Sequence, residues 1–354
     1  MIEDAFKEIF GVFPAQTAYA PGRVNLLGEH IDYNGGSVLP MALKVGLTVA
    51  ISPREDDIVR IASTRFDDVV ERDLHSTKHG DWADYAVGAV QYAERVGFIS
   101  TGVDLFIEST IPDGAGLSSS AALIVAILKA ARDLANASAA NDEIAVLAKQ
   151  VENDYIGMPC GIMDQMAVAI ADAGQAIALN THDLSYERIQ LPKDYHFAVI
   201  HSGQHRKLAD GRYAARKAEC DKAKSMIGVQ DLCLLSKNDL EKLSTLPTAL
   251  ARRTRHCMTE HQRVLDAVDA IKSNDMHAFG NLMIESHASM REDFEISTPE
   301  IDALVEDALR LGAVGARLTG GGFGGCVVAC IPTNSLDDWV ARLLTAHPNA
   351  RFIC

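Results

Sequence analysis

The chain has 354 residues, 48% of them apolar and 23% charged, which is the profile of a globular protein large enough for two lobes. Its formal net charge of -15 disfavours nucleic acid and anionic membranes as partners. Any polyanion would have to be held by backbone amides, a helix N-terminus or a metal ion rather than by lysines.

Residues 2–10 alternate charged and apolar residues at helical spacing and end at Gly11, so they read as a short amphipathic helix and not as a signal peptide. Strand-like runs follow between Ala18 and Ile51, including Lys44–Ile51, and again at Asp57–Ala62 and Val103–Glu108. Trp82–Val96 is helical. Val103–Ser109 then leads through a glycine-rich loop into a helix at Ser118–Leu134. Asp142–Asp154 and Gly161–Ala171 read as two helices joined at Gly157-Met158-Pro159, and His196–Ile200 as a strand. Further on the chain turns helical, at Asp210–Met226, Ala249–Lys272, Met276–Met290 and Pro299–Leu311. It ends with strands at Ala316–Leu318 and Cys326–Ile331 and a helix near Leu336–Thr345. The fold class expected is α+β in two lobes, residues 1–190 and 191–354, with the active site in a cleft between them. The N-terminal lobe is read as a mixed sheet with helices and the C-terminal one as an α/β lobe.

Seven cysteines without a Cys-x-x-Cys pair point to reduced thiols and a cytoplasmic protein. No apolar run reaches the roughly 18 residues of a membrane span.

Five segments concentrate chemistry. Pro112-Asp113-Gly114-Ala115-Gly116-Leu117-Ser118-Ser119-Ser120 follows a strand and opens a helix. Its glycines allow close backbone approach, while its serines supply hydroxyls where the helix dipole favours negative charge. It is a phosphate cradle without the lysine of a Walker loop; a simple helix-capping turn is the alternative. Gly22–Gly36 packs Arg23, Asn25, Glu29, His30, Asp32 and Asn34 between glycines, a set suited to the vicinal hydroxyls of a polyol. Glu152-Asn153-Asp154 and Gly161-Ile162-Met163-Asp164-Gln165 add carboxylates; Asp164 is either a helix-start residue or a base. Thr319-Gly320-Gly321-Gly322-Phe323-Gly324-Gly325 holds five glycines in six positions after Thr319, more than a hairpin turn needs.

In order and spacing, these segments resemble the motifs of the GHMP small-molecule kinases, and Arg23–Asn34 is similar to the signature of the galactokinase branch. The similarity continues through Leu208–Tyr213 and covers the chain from Phe13 onward. The resemblance implies transfer of the ATP γ-phosphate to the anomeric hydroxyl of galactose. Glu29, His30, Asp32, Gly161 and Tyr213 would bind the sugar. Ser63, Gly114, Ala115, Gly116, Leu117, Ser118, Ser119 and Ser120 would bind the nucleotide. Ser120 and Glu152 would ligate Mg2+, with Asp164 and Arg23 catalytic. It also implies a monomer with small-molecule partners. Ile31 stands where that signature usually has Thr, which removes a hydroxyl between two sugar-binding positions. N-acetylgalactosamine and arabinose kinases, and a non-catalytic sugar/ATP sensor, remain the alternatives.

Several reactive-looking residues are assigned ordinary roles. His201, His205, His256, His261 and His287 lack ligand spacing. Cys160 lacks an assigned base and reads as a core or cleft thiol. The Arg252–His256 cluster reads as a solvated or ion-paired helix face.

Overall fold

The computed structural model describes residues 1–112, 114–204, 211–236 and 239–354. Asp113, His205 and Leu208–Asp210, all singled out above, lie outside the described residues. In chain order the elements are α1 (Ile2–Phe10), β1 (Gln16–Asn25), β2 (Ser37–Val38), β3 (Pro40–Pro53), β4 (Ile58–Ser63), β5 (Phe66–Asp73), α2 (Ala83–Arg95), β6 (Val103–Ser109), α3 (Ser119–Leu134), α4 (Asn141–Gln150) and α5 (Met163–Ile170). There follow β7 (Ala176–Asn180), β8 (Tyr186–Ile189), β9 (Tyr195–His201), α6 (Arg212–Ile227), α7 (Leu240–Ser244), α8 (Thr248–Lys272), α9 (Met276–Glu292), α10 (Pro299–Arg310), β10 (Gly315–Thr319), β11 (Cys326–Pro332), α11 (Leu336–Ala346) and β12 (Arg351–Phe352).

The chain forms two compact units that interleave in sequence instead of dividing once near residue 190. One comprises residues 1–23, 42–111 and 118–173; the other comprises 24–41, 112–117 and 174–354. Hydrogen bonding explains the interleaving: β2 pairs with β7 through Ser37↔Asn180 and Val38↔Leu179, so residues 24–41 join the later part of the chain.

In the first unit β3 and β6 pair antiparallel, β6 and β4 parallel, and β4 and β5 antiparallel. The sheet is therefore mixed. Phe6 of α1 is wholly buried among Ala50, Ala62 and Phe106, with Ile2, Ala5 and Phe10 around it. Gly11 ends α1 in the left-handed conformation that terminates helices. The alanine-rich α3 buries ten of its residues and packs on α2, α4 and α5, making it the unit's central helix.

The second unit holds a sheet in the order β10-β11-β9-β12, antiparallel throughout. Helix α9 lies on β10, and α10 on β10 and β11. Helix α10 begins as its sequence dictates, with the Thr298 hydroxyl accepting from Ile301 N and Pro299 in the first turn. Helix α8 contacts α6, α9 and β2, which brings it under the loop that carries Glu29 and His30.

The helices and most strands expected from sequence are present. Two differences matter. The stretch read as one helix from Asp142 to Asp154 is α-helical only through Gln150 and continues as a π-helical turn, Val151–Ile156, closed by Gly157 at φ +79. Such turns shift helix register and recur at functional sites, and Glu152 sits in this one. The hairpin partner β5 and the β7–β8 ribbon were not anticipated.

Candidate active site

In the second unit the loop after β1 carries Glu29, His30 and Asp32. Gly28 stands at φ +103, and a Cβ there would come within 2.9 Å of Val38 Cα, so only glycine fits. Its amide donates to Glu260 Oε1 at 2.9 Å, and His256 Nε2 donates to the Glu29 carbonyl at 3.1 Å. His261 Nδ1 accepts from the Ser37 amide at 2.9 Å. Three residues of α8 thus hold the loop from beneath. His256 is wholly buried, and burial pulls its pKa down to about 4.

Glu29 is 1% exposed. Its Oε2 accepts from Asn25 Nδ2 at 2.7 Å and from Arg317 Nη2 at 2.5 Å. Its Oε1 accepts from the Gly320 amide at 2.6 Å, with the Thr319 hydroxyl 3.3 Å away. Burial raises its pKa, and Arg317 and the Gly320 amide pull it back. Arg317 is itself fully buried and donates to the Leu26 carbonyl at 2.7 Å. Glu260, also fully buried, is held down at about 2 by Arg263 and Arg317, which overcome its desolvation. Glu29 was expected to bind sugar hydroxyls; most of its acceptor capacity is used by the protein, and it ties the loop to Thr319-Gly320.

His30 has a positive φ of +62, unfavourable for a residue with a Cβ. Its Nε2 lies 3.2 Å from the Gly321 carbonyl, which can only accept, so the proton sits on Nε2. Nδ1 then accepts from the Tyr33 hydroxyl at 2.6 Å. The rings of Tyr213 and Phe294 lie 4.8 and 4.9 Å from that of His30. His30, Tyr213 and the half-buried Asp32 belong to this unit, whereas the lobe boundary expected from sequence sets Tyr213 in a different lobe from His30 and Asp32. Ile31 is wholly buried, and the open face of Gly36 lies against its Cβ and Cδ1 and against Cys233 Sγ. Its side chain is spent on packing.

In the first unit Arg23, at the end of its β1 portion, forks onto Asp164 at the start of α5: Nε to Oδ1 and Nη2 to Oδ2, both 2.8 Å. The Asp164 side chain keeps 33% of its exposure, against 6% for Arg23. Ser118 Oγ donates to the same Oδ2 at 2.5 Å. Beside this pair, Glu152 Oε1 accepts from Ser120 Oγ at 2.8 Å, and Oε2 from Gln165 Nε2. Glu152 is 5% exposed and burial lifts its pKa to about 7, the Ser120 and Gln165 hydrogen bonds offsetting only part of the shift. Among the described residues the donors to this carboxylate are neutral, and with Ser120 Oγ it offers two hard oxygens suited to a divalent cation. Cys160 Sγ is 4.0 Å from Glu152 Oε2, 3.4 Å from Asn153 Oδ1 and 3.5 Å from Gln165 Nε2.

The remaining cradle residues divide by environment. Gly114 and Gly116 have φ +67 and +71, the conformations a looping backbone requires. Ala115 and Leu117 are buried, and the Ala115 carbonyl accepts from the Cys326 thiol at 3.0 Å. Ser119 and Ser120 open α3. Ser63 ends β4, where its hydroxyl accepts from the Arg65 amide. Gly161 is buried just before α5. The Arg252–His256 cluster is ion-paired: Arg253 to Glu219 and Glu295, Arg252 to Glu295, Arg255 to Asp293. Asn25 and Gln165 lie inside motifs visible in the sequence, whereas Arg317 and Glu260 carry no local signal there.

Comparisons with known proteins identify the family. Residues 4–53 match the galactokinase galactose-binding signature, 84–171 the GHMP kinases N terminal domain and 267–347 the GHMP kinases C terminal domain. A galactokinase of Actinobacillus pleuropneumoniae is 41% identical over 343 residues, covering 94% of this chain and 89% of its own length. One of Chloroflexus aggregans is 39% identical over 353 residues, covering 97% and 90%. The crystal structure of Lactococcus lactis galactokinase complexed with galactose superposes with a TM-score of 0.93 at 32% identity, covering 99% of this chain and 96% of that one. A mevalonate kinase of Methanococcus jannaschii, at 21% identity and TM-score 0.69, shares the fold. The chain belongs to the galactokinase family of the GHMP kinases.

Proposed function

We propose that the protein transfers the γ-phosphate of ATP to the anomeric hydroxyl of D-galactose, giving galactose 1-phosphate and ADP. The observation that carries this reading is the start of α5. Adjacent residues there serve two tasks: Asp164, forked by Arg23 and still exposed, and Gln165, which holds the Glu152 carboxylate. Phosphoryl transfer asks for just these parts, a group to orient the acceptor hydroxyl and a carboxylate to hold a cation near the phosphates. Asp164 takes the sugar proton, and Arg23 both orients Asp164 and offsets charge on the moving phosphoryl group. His30, Asp32 and Tyr213 contact the sugar, with Gly161, and Glu29 supports them from below. The backbone of Gly114–Leu117 and the hydroxyls opening α3 receive the phosphates, with Ser63 toward the rest of the nucleotide.

A kinase using ATP works with a divalent cation, and here the residues fit Mg2+: Glu152 and Ser120 would hold it. When bound, it neutralises phosphate charge. The protein acts in the cytoplasm as a monomer on small-molecule substrates.

Release of ADP across a panel of galactose, N-acetylgalactosamine, arabinose and glucose, with ATP and Mg2+, tests the reading. Galactose is expected to give the largest kcat/KM, and preference for another sugar overturns the substrate. Asp164→Asn is expected to lower kcat by about 10²–10⁴-fold while calorimetry still detects galactose binding.

A further inference from the structure

Ser118 stands at the N-cap of α3, where a serine hydroxyl ordinarily accepts from an amide of the first turn. It makes no such bond. Its backbone is left-handed, φ +62 and ψ +43, a conformation costly for a residue with a Cβ. Oγ is directed instead onto Asp164 Oδ2 at 2.5 Å, from a residue 8% exposed. Two local preferences are given up together, and what the serine gains is this one contact.

The contact bears on which carboxylate oxygen remains for the substrate. An ionised carboxylate offers about four acceptor positions. Among the described residues, Oδ2 receives Arg23 Nη2 and Ser118 Oγ, whereas Oδ1 receives Arg23 Nε. A second position on Oδ1 is left for an incoming hydroxyl.

We propose that Ser118 is a positioning residue for the reaction. Its hydroxyl and the Arg23 fork fix the plane of the Asp164 carboxylate so that Oδ1 faces the acceptor hydroxyl. The sugar O–H bond breaks with its proton passing to Oδ1, while the sugar oxygen bonds to the γ-phosphorus and the bond to ADP breaks. This rests on the kinase reading above and reassigns Ser118 from nucleotide contact to the support of Asp164.

Ser118→Gly is the cleanest test, since glycine adopts positive φ freely and no cap hydrogen bond is lost. Ser118→Ala is its companion. Steady-state kinetics with ATP, Mg2+ and galactose are run beside wild type, with the folded fraction of each variant measured by calorimetric unfolding. The expected result is a kcat lowered by about 10- to 100-fold, as for a slightly misplaced catalytic group, with KM for ATP and galactose nearly unchanged. Added to Asp164→Asn, Ser118→Gly is expected to cause no further loss, because its effect runs through the missing carboxylate. Retained kcat with a raised KM for ATP overturns the proposal in favour of a nucleotide contact. Losses that multiply in the double variant, or that merely track the folded fraction, overturn it as well. If wild type turns over no ATP with galactose, the kinase reading fails first, and the inference with it.

Discussion

Glu29 and Glu152 are both buried carboxylates, one in each compact unit. Around Glu29 the chain has gathered a guanidinium, a backbone amide and an asparagine amide, and Arg317 in turn neighbours a second buried carboxylate, Glu260. Around Glu152, among the described residues, stand a hydroxyl and a carboxamide, with a thiol at 4.0 Å. The first carboxylate has its countercharge built in, and the second, among the described residues, has neutral contacts. A buried charge that the fold has compensated is architecture, while one left with neutral donors is prepared for a cation that arrives with substrate. Both residue types looked equally functional in the sequence. Their partners separate them.

The comparison breaks most sharply at Glu29. Glu29→Gln sets an amide group against the donors of Arg317 and Asn25, or against the Gly320 amide, whichever way it turns. Loss of one member of a buried pair typically costs about 3–5 kcal/mol, so chemical denaturation is expected to show a loss of that order. A change under 1 kcal/mol would mean that Glu29 is not the tie between its loop and Thr319-Gly320.

Glu152→Gln is expected to behave in the opposite way. Removing an uncompensated buried charge leaves the metal-free protein as stable as wild type or more so. What disappears is stabilisation by magnesium: at a hundredfold excess over Kd a bound cation adds about 2.7 kcal/mol, to wild type and not to the variant. Thermal unfolding with and without Mg2+ reads this directly. Equal stabilisation of both proteins removes Glu152 from the cation site.

The two regions also respond to acid with opposite signs. His256, beneath the Glu29 loop, has its pKa lowered from 6.5 to about 4. Its stabilising contribution is complete above 6.5 and is lost as the pH falls toward 4, because the unfolded chain binds that proton first. Glu152 is raised from 4.5 to about 7. In the metal-free protein its contribution is complete below 4.5 and is lost as the pH rises through 7. Each group gives a slope of up to about 1.4 kcal/mol per pH unit, and across the shared window they oppose each other. Unfolding free energies measured from pH 4.5 to 7 are expected to rise more steeply with pH in Glu152→Gln than in wild type. Parallel curves would show that Glu152 is not the group holding the proton.

How much of this could be read in advance follows the range of the interactions. Helix α10 announces itself locally, with Thr298 as cap, Pro299 in the first turn and Ile301, Leu304, Val305 and Ala308 on its buried face. Strand β5 does not: Phe66–Asp73 is mostly exposed and rich in acids, so no alternation of burial marks it. Glu29, Asp164 and Glu152 were visible as chemical groups because short motifs carry them. Their circumstances were not, since Arg317 lies 288 residues from Glu29 and Arg23 lies 141 from Asp164. The resemblance of the motifs supplied Arg23 as a partner, and nothing local supplied Arg317 or Glu260. The π-helical turn at Val151–Ile156 was equally hidden, because one extra residue per turn barely disturbs the apolar spacing of a six-residue stretch.

The smallest effect is expected at Cys160, and it decides how far the neutral environment of Glu152 extends. Its sulfur is 3.5 Å from Gln165 Nε2 and 4.0 Å from Glu152 Oε2. A thiol is a weak donor and weak acceptor, so it adds little to the bond by which Gln165 already holds the carboxylate. Cys160→Ala is therefore expected to change stability by no more than about 0.5 kcal/mol, the low end for a single net hydrogen bond, with turnover and magnesium dependence close to wild type. A loss of magnesium-induced stabilisation in this variant would mean that the thiol helps to orient Gln165. Three neutral groups rather than two would then hold the carboxylate, and the contrast with Glu29 would rest on the whole Glu152–Cys160 turn instead of on one side chain.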